Sequence, residues 1–270
     1  MINFMNSKLK FFQFILFVCI TGLLTSIGTL SGKTFLKTSL SNQKMLKNKT
    51  DKKYIYLTFD DGPLNGSEYI DSVVLAEKIK ISVFLVGEHV MMSRTMDNYF
   101  KYYEANPYID EYNHSYSHAN NHYEKFYGNT DLAVSDILKN NQLLKFAYKI
   151  VRLPGRNMWR IGGFKKDDVE SGSKTADKLE QLSYKVVGWD LEWEHNSTAG
   201  APPVQSVDEM YNEICRRFEK NNTFTPNNLV LLLHDEMFQK KWEESELKQL
   251  IDKLRKNKNF EFEQMRFYPR

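Results

Sequence analysis

Cysteine is nearly absent from this chain of 270 residues, which contains only Cys19 and Cys215. Two cysteines cannot build a disulfide framework, and they cannot supply a zinc site made of thiolates. Hydrophobic residues make up 41% of the chain and charged residues 26%. Those ordinary proportions exclude a disordered, a collagen-like and a polytopic membrane protein. The length is sufficient for one large or two small globular domains with a buried core.

An excess of one charge sign is also missing, because 37 basic side chains face 34 acidic ones. The distribution is uneven. Residues 33–53 contain seven lysines and one aspartate, whereas residues 54–270 contain 28 basic and 33 acidic side chains and carry a net charge of −5. Surfaces that bind nucleic acid are strongly basic. The acidic body therefore predicts that nucleic acid is not a partner.

A long uncharged stretch lies near the N-terminus, from Phe11 to Gly32, and follows Lys8 and Lys10. This order is typical of an export signal or of a single membrane anchor, and the stretch reaches the roughly 20 residues that span a bilayer. We predict a leader or anchor over residues 1–32, a basic flexible tether over 33–53 and a folded domain over 54–270. More lysines follow the stretch than precede it, which favours cytoplasmic retention of the body.

Short apolar runs alternate with amphipathic patterns throughout the body. The candidate strands are 54–59, 81–86, 109–113, 150–153, 185–189 and 229–233. Apolar residues at helical spacing predict helices over 207–218 and over 247–254. Alternation of strands and helices over this length predicts a parallel sheet or a (β/α) barrel, with 260–267 as a possible closing strand.

Polar side chains stand where four of these strands end. They are Asp60 and Asp61 after the first strand, Arg152 within the fourth, Asp190 and Glu192 after the fifth, and His234 after the sixth. In barrel enzymes the catalytic residues collect at the carboxyl ends of the strands, where the loops converge. The sequence therefore predicts a functional site at that end.

The pair Asp60-Asp61 is compatible with a plain turn before Gly-Pro. Adjacent residues of an extended segment point in opposite directions, however, so one carboxylate could bind a metal while the other receives a proton. His114 and His118 would share one face if their segment were helical, and His122 extends the spacing without an obvious role. Two imidazoles and one carboxylate leave metal positions open for water and substrate, as catalytic zinc sites require.

His234 follows five apolar residues and should lie at the mouth of a buried strand. It is either a core histidine bonded to a backbone carbonyl or a general acid with a pKa near neutrality. Arg152 is either a surface ion-pair partner or the group that fixes a catalytic carboxylate. We assign His89 and His195 to loops or to the surface.

Taken together, these segments resemble the polysaccharide deacetylases, which are the carbohydrate esterase family 4 or NodB-homology proteins. The resemblance is carried, in the order of the family, by Thr58-Phe-Asp-Asp-Gly62, His114-Ser-Tyr-Ser-His118, Arg152-Leu-Pro154, the tryptophan-containing segment 189–193 and Leu231-Leu-Leu-His-Asp235. It implies an α/β fold of the distorted (β/α)7 type, a deformed TIM-like barrel. It also implies removal of N-acetyl groups from amino sugars with the help of zinc or another divalent metal such as cobalt.

Carried over residue by residue, the resemblance implies that Asp61, His114 and His118 bind the metal. Asp60 would be the general base and Arg152 the residue that tethers it.

The resemblance further implies that His234 is the general acid and that the backbone N–H near Gly155 stabilises the oxyanion. Leu232 and Trp193 would line the pocket for the acetyl methyl group. The chain departs from the family pattern at Gly155, where an aromatic residue is usual.

The fourth motif is a second departure, since it is compressed in this chain. Either Asp190 or Glu192 would therefore be the carboxylate that tunes His234.

The implied partner is an N-acetylated glycan of the cell envelope, with peptidoglycan as the leading substrate and poly-N-acetylglucosamine and chitin oligomers as alternatives. Such a substrate favours export to the periplasm or to the outer face of the membrane, with membrane attachment if the leader is uncleaved. A catalytically silent glycan-binding protein on the same barrel is a second hypothesis. A non-haem iron oxygenase also uses two histidines and one carboxylate, but it would leave Asp60 and His234 without a role.

Overall fold

The structure is a computed structural model that describes residues 52–196 and 203–270. The leader and all but the last two residues of the tether predicted from the sequence lie outside the described residues. Residues 52–270 form one compact unit. None of the helices in 52–196 and 203–270 is both long enough and apolar enough to cross a bilayer.

One curled sheet forms the centre of the domain. Its strands are β1 (Lys53–Gly62), β2 (Ile81–Leu85), β3 (Ile109–Asn113), β4 (Ile150–Val151), β5 (Trp159–Ile161), β6 (Phe164–Lys166), β7 (Lys185–Val186), β8 (Leu191–Glu192), β9 (Asn228–His234) and β10 (Phe260–Phe262). The order across the sheet is β6-β5-β7-β4-β3-β2-β1-β9-β8, and β10 pairs with β1. The pairs that β5 makes with β6 and β7 are antiparallel, and the others are parallel. This mixed α/β half-barrel confirms the predicted deformed barrel.

Helices cover the outer face of the sheet. They are α1 (Ser67–Glu77), α2 (Gly87–Met92), α3 (Arg94–Ala105), α4 (Tyr123–Gly128), α5 (Thr130–Leu144), α6 (Ser173–Gln181), α7 (Val207–Glu219) and α8 (Glu246–Arg255). The two helices predicted from apolar periodicity are α7 and α8. A capping box between Ser206 and Glu209 sets the start of α7.

Side-chain alternation along β1 decides which residues face the interior of the half-barrel. Ile55, Leu57 and Phe59 belong to the apolar cluster under the helices, whereas Tyr56 belongs to the interior cluster. Because side chains two residues apart point the same way along a strand, Thr58 and Asp60 continue the interior face. The strand therefore places Asp60 at the mouth of the half-barrel.

The residues of all three apolar clusters lie within residues 52–270.

Candidate functional site

Arg152 fixes the carboxylate of Asp60 at the carboxyl end of β1. Its Nη1 donates to Asp60 Oδ1 at 2.8 Å and to Thr58 Oγ1 at 2.8 Å, and its Nη2 donates to the carbonyl of Gly188 at 2.9 Å. The guanidinium lies 4.3 Å from the ring centroid of Phe84 and is completely buried. A charge-assisted bond in such surroundings holds one carboxylate oxygen and leaves the other free.

Asp61 reaches the same site through an unusual backbone conformation. In a regular strand its side chain would point away from that of Asp60, but its φ of 69° lies in the left-handed region. The turn brings Asp61 Oδ1 to 3.3 Å from His114 Nε2, which is also 3.6 Å from Asp60 Oδ2. Left-handed conformations cost a non-glycine residue roughly 1–2 kcal/mol and cluster at functional sites.

His114 and His118 come together through a loop, so the conditional prediction of a shared helical face is not met. Ser115 and His118 have φ values of 69° and 49°, and the 3-10 helix His118–Asn121 begins only at the second histidine. His114 Nδ1 lies 2.9 Å from the carbonyl of Arg152, and His118 Nδ1 lies 3.3 Å from Asn121 Oδ1. Protonation at each Nδ1 leaves both Nε2 atoms free as ligands.

The Asp61, His114 and His118 side chains fit a divalent metal. Each offers one ligand atom, and the three atoms lie within 4.8 Å of one another. His118 Nε2 is 3.0 Å from Asp61 Oδ1, and that oxygen is buried without a hydrogen-bond partner among the described residues. Two imidazole nitrogens and one carboxylate oxygen are a donor set that suits zinc and neighbouring transition metals.

Opposite charges in this group favour ionisation of both partners. Burial alone would raise the pKa of Asp61, but the imidazoles of His118 and His114 outweigh it and hold that pKa well below its usual range. Burial likewise opposes the charge on His118, and the nearby carboxylate of Asp61 raises the His118 pKa in spite of it. The group therefore already selects an anionic carboxylate, the form that a metal requires.

His234 stands beside Asp60, since the two residues are register partners across β1 and β9. Its Nδ1 is buried and has no hydrogen-bond partner among the described residues. Its ring lies 4.4 Å from the ring of His195 at an interplanar angle of 35°, and His195 Nε2 is 3.3 Å from Glu236 Oε1. Burial lowers the pKa of His234, although the carboxylates of Asp61 and Asp60 act against it.

Asp190 and Glu192 occupy different surroundings. The Asp190 carboxylate accepts hydrogen bonds from the backbone N–H groups of Phe224 at 2.6 Å and Val230 at 2.8 Å. Glu192 pairs in register with Leu232 at the carboxyl end of β8. Burial raises the pKa of Glu192, and the charge of Asp60 raises it further. Tuning of His234 by either carboxylate stays a prediction.

The remaining predicted residues surround this group at different depths. Gly155 is exposed, has a φ of 62°, and lies so close to Tyr123 that an added Cβ would be 3.2 Å from its ring. The Tyr123 ring in turn meets His118 edge-on at 5.8 Å. Leu232 is 3% exposed, and Trp193 is fully buried with its Nε1 donating to the carbonyl of Gln205 at 2.8 Å. The acetyl-pocket roles of Leu232 and Trp193 stay predictions.

A cavity of about 550 Å³ lies beside α4. Its lining includes Asn121, Tyr123, Lys125, Arg156 and Glu170. Arg156 is almost fully buried there. It donates to the carbonyls of Ser171 and Gly155 and pairs with Glu170 at 2.8 Å. The arginine thus braces the loop that carries Gly155.

Sequence reasoning did not assign a role to three residues at this end of the sheet. His89 Nδ1 lies 2.6 Å from the carbonyl of Asp61, and His195 lies against His234 rather than at a distant surface. Asp235 accepts hydrogen bonds from Leu64 N at 2.8 Å, Ser67 and Tyr103. The position of Asp235 directly after the apolar strand was the available signal, whereas the contacts of His89 and His195 depend on tertiary structure.

Comparisons with known proteins find a matching family model and similar folds. A family model described as polysaccharide deacetylase matches residues 47–155. No curated protein sequence matches the chain.

Solved structures share the fold. A Streptococcus mutans CE4 esterase is 21% identical with a TM-score of 0.57, and the match covers 79% of this chain and 86% of that chain. The peptidoglycan deacetylase PdaC from Bacillus subtilis is 16% identical with a TM-score of 0.53, over 80% and 89% of the two chains. BA3943 from Bacillus anthracis, a CE4 family pseudoenzyme, is 15% identical with a TM-score of 0.53, over 80% and 64%.

The matched segment 47–155 contains Asp61, His114 and His118, and the fold extends the likeness over most of the chain. The chain is therefore similar to the polysaccharide deacetylase family over residues 47–155, and its fold is shared with solved CE4 structures.

Proposed function

We propose that the protein is a metal-dependent deacetylase that hydrolyses the N-acetyl group of amino sugars in a cell-envelope glycan, with peptidoglycan as the leading substrate. The observation that carries the proposal is the meeting of three groups at one end of the sheet. These are the Asp61-His114-His118 cluster, the Asp60–Arg152 pair and His234, which neighbours Asp60 across β1 and β9. The match of residues 47–155 to the polysaccharide deacetylase model supports an acetylated glycan as the substrate class.

The cluster is the place for a divalent metal, and zinc is our proposal for it. Such a metal, when bound, polarises an acetyl carbonyl and makes water more acidic. Asp60 is suited to receive the proton of the attacking water, because Arg152 binds Oδ1 at 2.8 Å and leaves Oδ2 free. Our proposed donor to the developing oxyanion is the backbone N–H beside Gly155, on the loop that Arg156 braces.

His234 completes the reaction in this proposal. The oxygen of the water first bonds to the acetyl carbon. The C–N bond then breaks, and the nitrogen leaves with a proton from the His234 imidazolium. A lowered pKa makes His234 a stronger acid than a free imidazole. The products are acetate and a free amine on the sugar.

Acetate release tests the proposal directly. Purified protein would be incubated with peptidoglycan, poly-N-acetylglucosamine and chitin oligomers, with added zinc or with chelator. We expect acetate with zinc, none with chelator, and little from Asp60→Asn. Asp97→Asn is the matched control, since Asp97 is an exposed carboxylate paired with Lys101 on α3.

A catalytically silent glycan-binding protein is the second candidate, and pseudoenzymes exist among the structures that share this fold. Zinc uptake by folded protein without acetate from any of the glycans would favour it. The competent side chains at every proposed catalytic position argue for the enzyme.

A further inference from the structure

Lysines lie where the strands begin, at the end of the domain opposite the Asp61-His114-His118 cluster. Because the parallel strands run the same way, the amino ends of β1, β2, β4 and β7 meet on one face, which we call the strand-start face. Lys53 opens β1, Lys80 directly precedes β2, Lys149 directly precedes β4 and Lys185 opens β7. The body carries a net charge of −5 over residues 54–270, and carboxylates also lie on this face, where Glu263 pairs with Lys80 at 2.8 Å and Asp110 pairs with Arg266.

A cavity of about 590 Å³ opens on this face between the starts of β4 and β7. It is lined by three cations, Lys149, Lys185 and Arg266, and by the aromatic rings of Tyr148 and Phe267. The backbone N–H of Lys185 donates to the carbonyl of Lys149 at 2.9 Å, so the two lysines stand on adjacent strands. A polar anion that enters the cavity would meet charge from two sides.

The charge in this cavity is only partly balanced. Arg266 Nε lies 3.3 Å from Asp110 Oδ2, and Arg266 Nη1 donates to Tyr148 Oη at 2.6 Å. No carboxylate among residues 52–196 and 203–270 lies within ion-pair distance of Lys149 or Lys185. Two cations therefore remain available to an external anion.

Exposed aromatic side chains share the face with these cations. Phe267 is 54% exposed and Phe164 is 53% exposed. Phe164 follows the Gly162-Gly163 turn, which lies on the strand-start side because β5 runs antiparallel to β7. Aromatic rings beside lysine and arginine are the composition of surfaces at a membrane–water interface.

The chain also enters the folded domain at this face. Lys52 directly precedes β1, and the lysine-rich residues 33–51 and the uncharged stretch 11–32 come before it in the sequence. A stretch of that length is sufficient to reach across a bilayer. A membrane is therefore a better occupant for the face than a soluble anionic polymer, which would not account for the exposed phenylalanines.

We infer that the strand-start face docks on an anionic bilayer, with a lipid phosphate in the cavity between Lys149 and Lys185. The docked domain presents its opposite end, with Asp61, His114 and His118, away from the lipid. The inference does not depend on the proposed function, because it uses none of the residues of the metal site.

Vesicle sedimentation tests the inference with residues 52–270, whose apolar clusters are all internal to that unit. We expect binding to phosphatidylglycerol–phosphatidylcholine vesicles, weaker binding in high salt and none to pure phosphatidylcholine. The double variant Lys149→Gln/Lys185→Gln should bind roughly 30-fold more weakly, since each cation near an anionic surface contributes about 1 kcal/mol. Phe267→Ser should also weaken binding.

The matched control is Lys240→Gln/Lys241→Gln, which removes the same charge beyond the carboxyl end of β9. Equal losses in both double variants would overturn the inference, because they would indicate a general charge effect. The inference would also be overturned if residues 52–270 unfold cooperatively, and are therefore folded, but do not bind the anionic vesicles. Calorimetric binding of glycerol phosphate without vesicle binding would assign the cavity to a soluble phosphate instead. None of these readouts uses acetate release, so the result is separate from that of the deacetylase assay.

Discussion

Two adjacent aspartates in this protein contact different groups because the backbone turns between them. Asp60 continues the regular interior face of β1, where Arg152 binds it, whereas Asp61 adopts a φ of 69° and turns its carboxylate to His118. The separation depends on one left-handed residue. Asparagine tolerates that conformation better than most side chains, so substitutions by asparagine probe the charge and spare the turn.

The two aspartates should therefore differ in a metal assay. We expect Asp61→Asn to lose bound zinc, because the cluster loses its only anionic ligand atom. Asp60→Asn should keep zinc and lose acetate release by about 10²–10⁴-fold, the usual contribution of a general base. Zinc per protein after dialysis, measured beside acetate release, checks both. Equal zinc loss in the two variants would contradict the division of tasks.

A histidine that lies against His234 should set the pH range of activity. Burial lowers the pKa of His234, the carboxylates of Asp61 and Asp60 raise it, and the positive charge of His195 lowers it further. His195→Phe keeps a ring there and removes that charge, so the pKa of His234 should rise. Because a general acid works only while protonated, the basic limb of the kcat/KM profile should move to higher pH. An unchanged limb, with the His234 titration followed by NMR, would argue against this coupling.

At the scale of elements, Asp235 ties the end of β9 to the segment that follows β1. Its carboxylate accepts from Leu64, Ser67 and Tyr103, and an added Cβ at Gly62 would lie 3.0 Å from it. These bonds hold together the two strand ends that carry Asp60 and His234. The Asp235 carboxylate that accepts these bonds is completely buried, which disfavours its charged form.

Burial raises the pKa of Asp235 from 3.8 to about 6. A raised carboxyl pKa in the folded state means that its stabilising contribution is complete below pH 3.8 and is lost as the pH rises through about 6. The loss is on the order of 3 kcal/mol for a shift of this size. The free energy of unfolding of Asp235→Asn should not show this decrease between pH 3.8 and about 6. Urea titrations at several pH values across that range would measure it. Parallel pH curves for both proteins would refute the assignment, and Asp97→Asn provides the control.

Some elements were readable from the sequence because their signal is local. The five-residue strand 109–113 has the predicted bounds, and α7 and α8 follow their apolar periodicity. The hairpin of β5 and β6 was missed, although Gly162-Gly163 between two short runs is a hairpin signal. The left-handed turn at Asp61 had a local signal in the Asp-Asp-Gly-Pro sequence, whereas the left-handed conformation of His118 had none. The same holds for the His195–His234 contact, which joins residues far apart in sequence.

At the scale of the whole molecule, metal should stabilise the fold, because the ligands come from two segments far apart in the chain. Asp61 lies at the carboxyl end of β1, whereas His114 and His118 follow β3. Zinc at about 1,000 times its Kd would add about 4 kcal/mol to the free energy of unfolding if the unfolded chain does not bind it. We expect zinc to raise the Tm of the wild type and of His122→Ala, and not that of His118→Ala. An equal rise in all three would place the metal elsewhere.

The register of β1 and β9 places Asp60 directly opposite His234. Backbone hydrogen bonds, rather than flexible loops, thus set the span between the groups that would accept and donate protons. Neighbouring strands are about 4.8 Å apart in every sheet, so this span is insensitive to changes in the surrounding loops. Loops could be exchanged to accept a different polymer while the proton-transfer pair stays in place, which makes this half-barrel a suitable starting point for redesigned substrate selectivity.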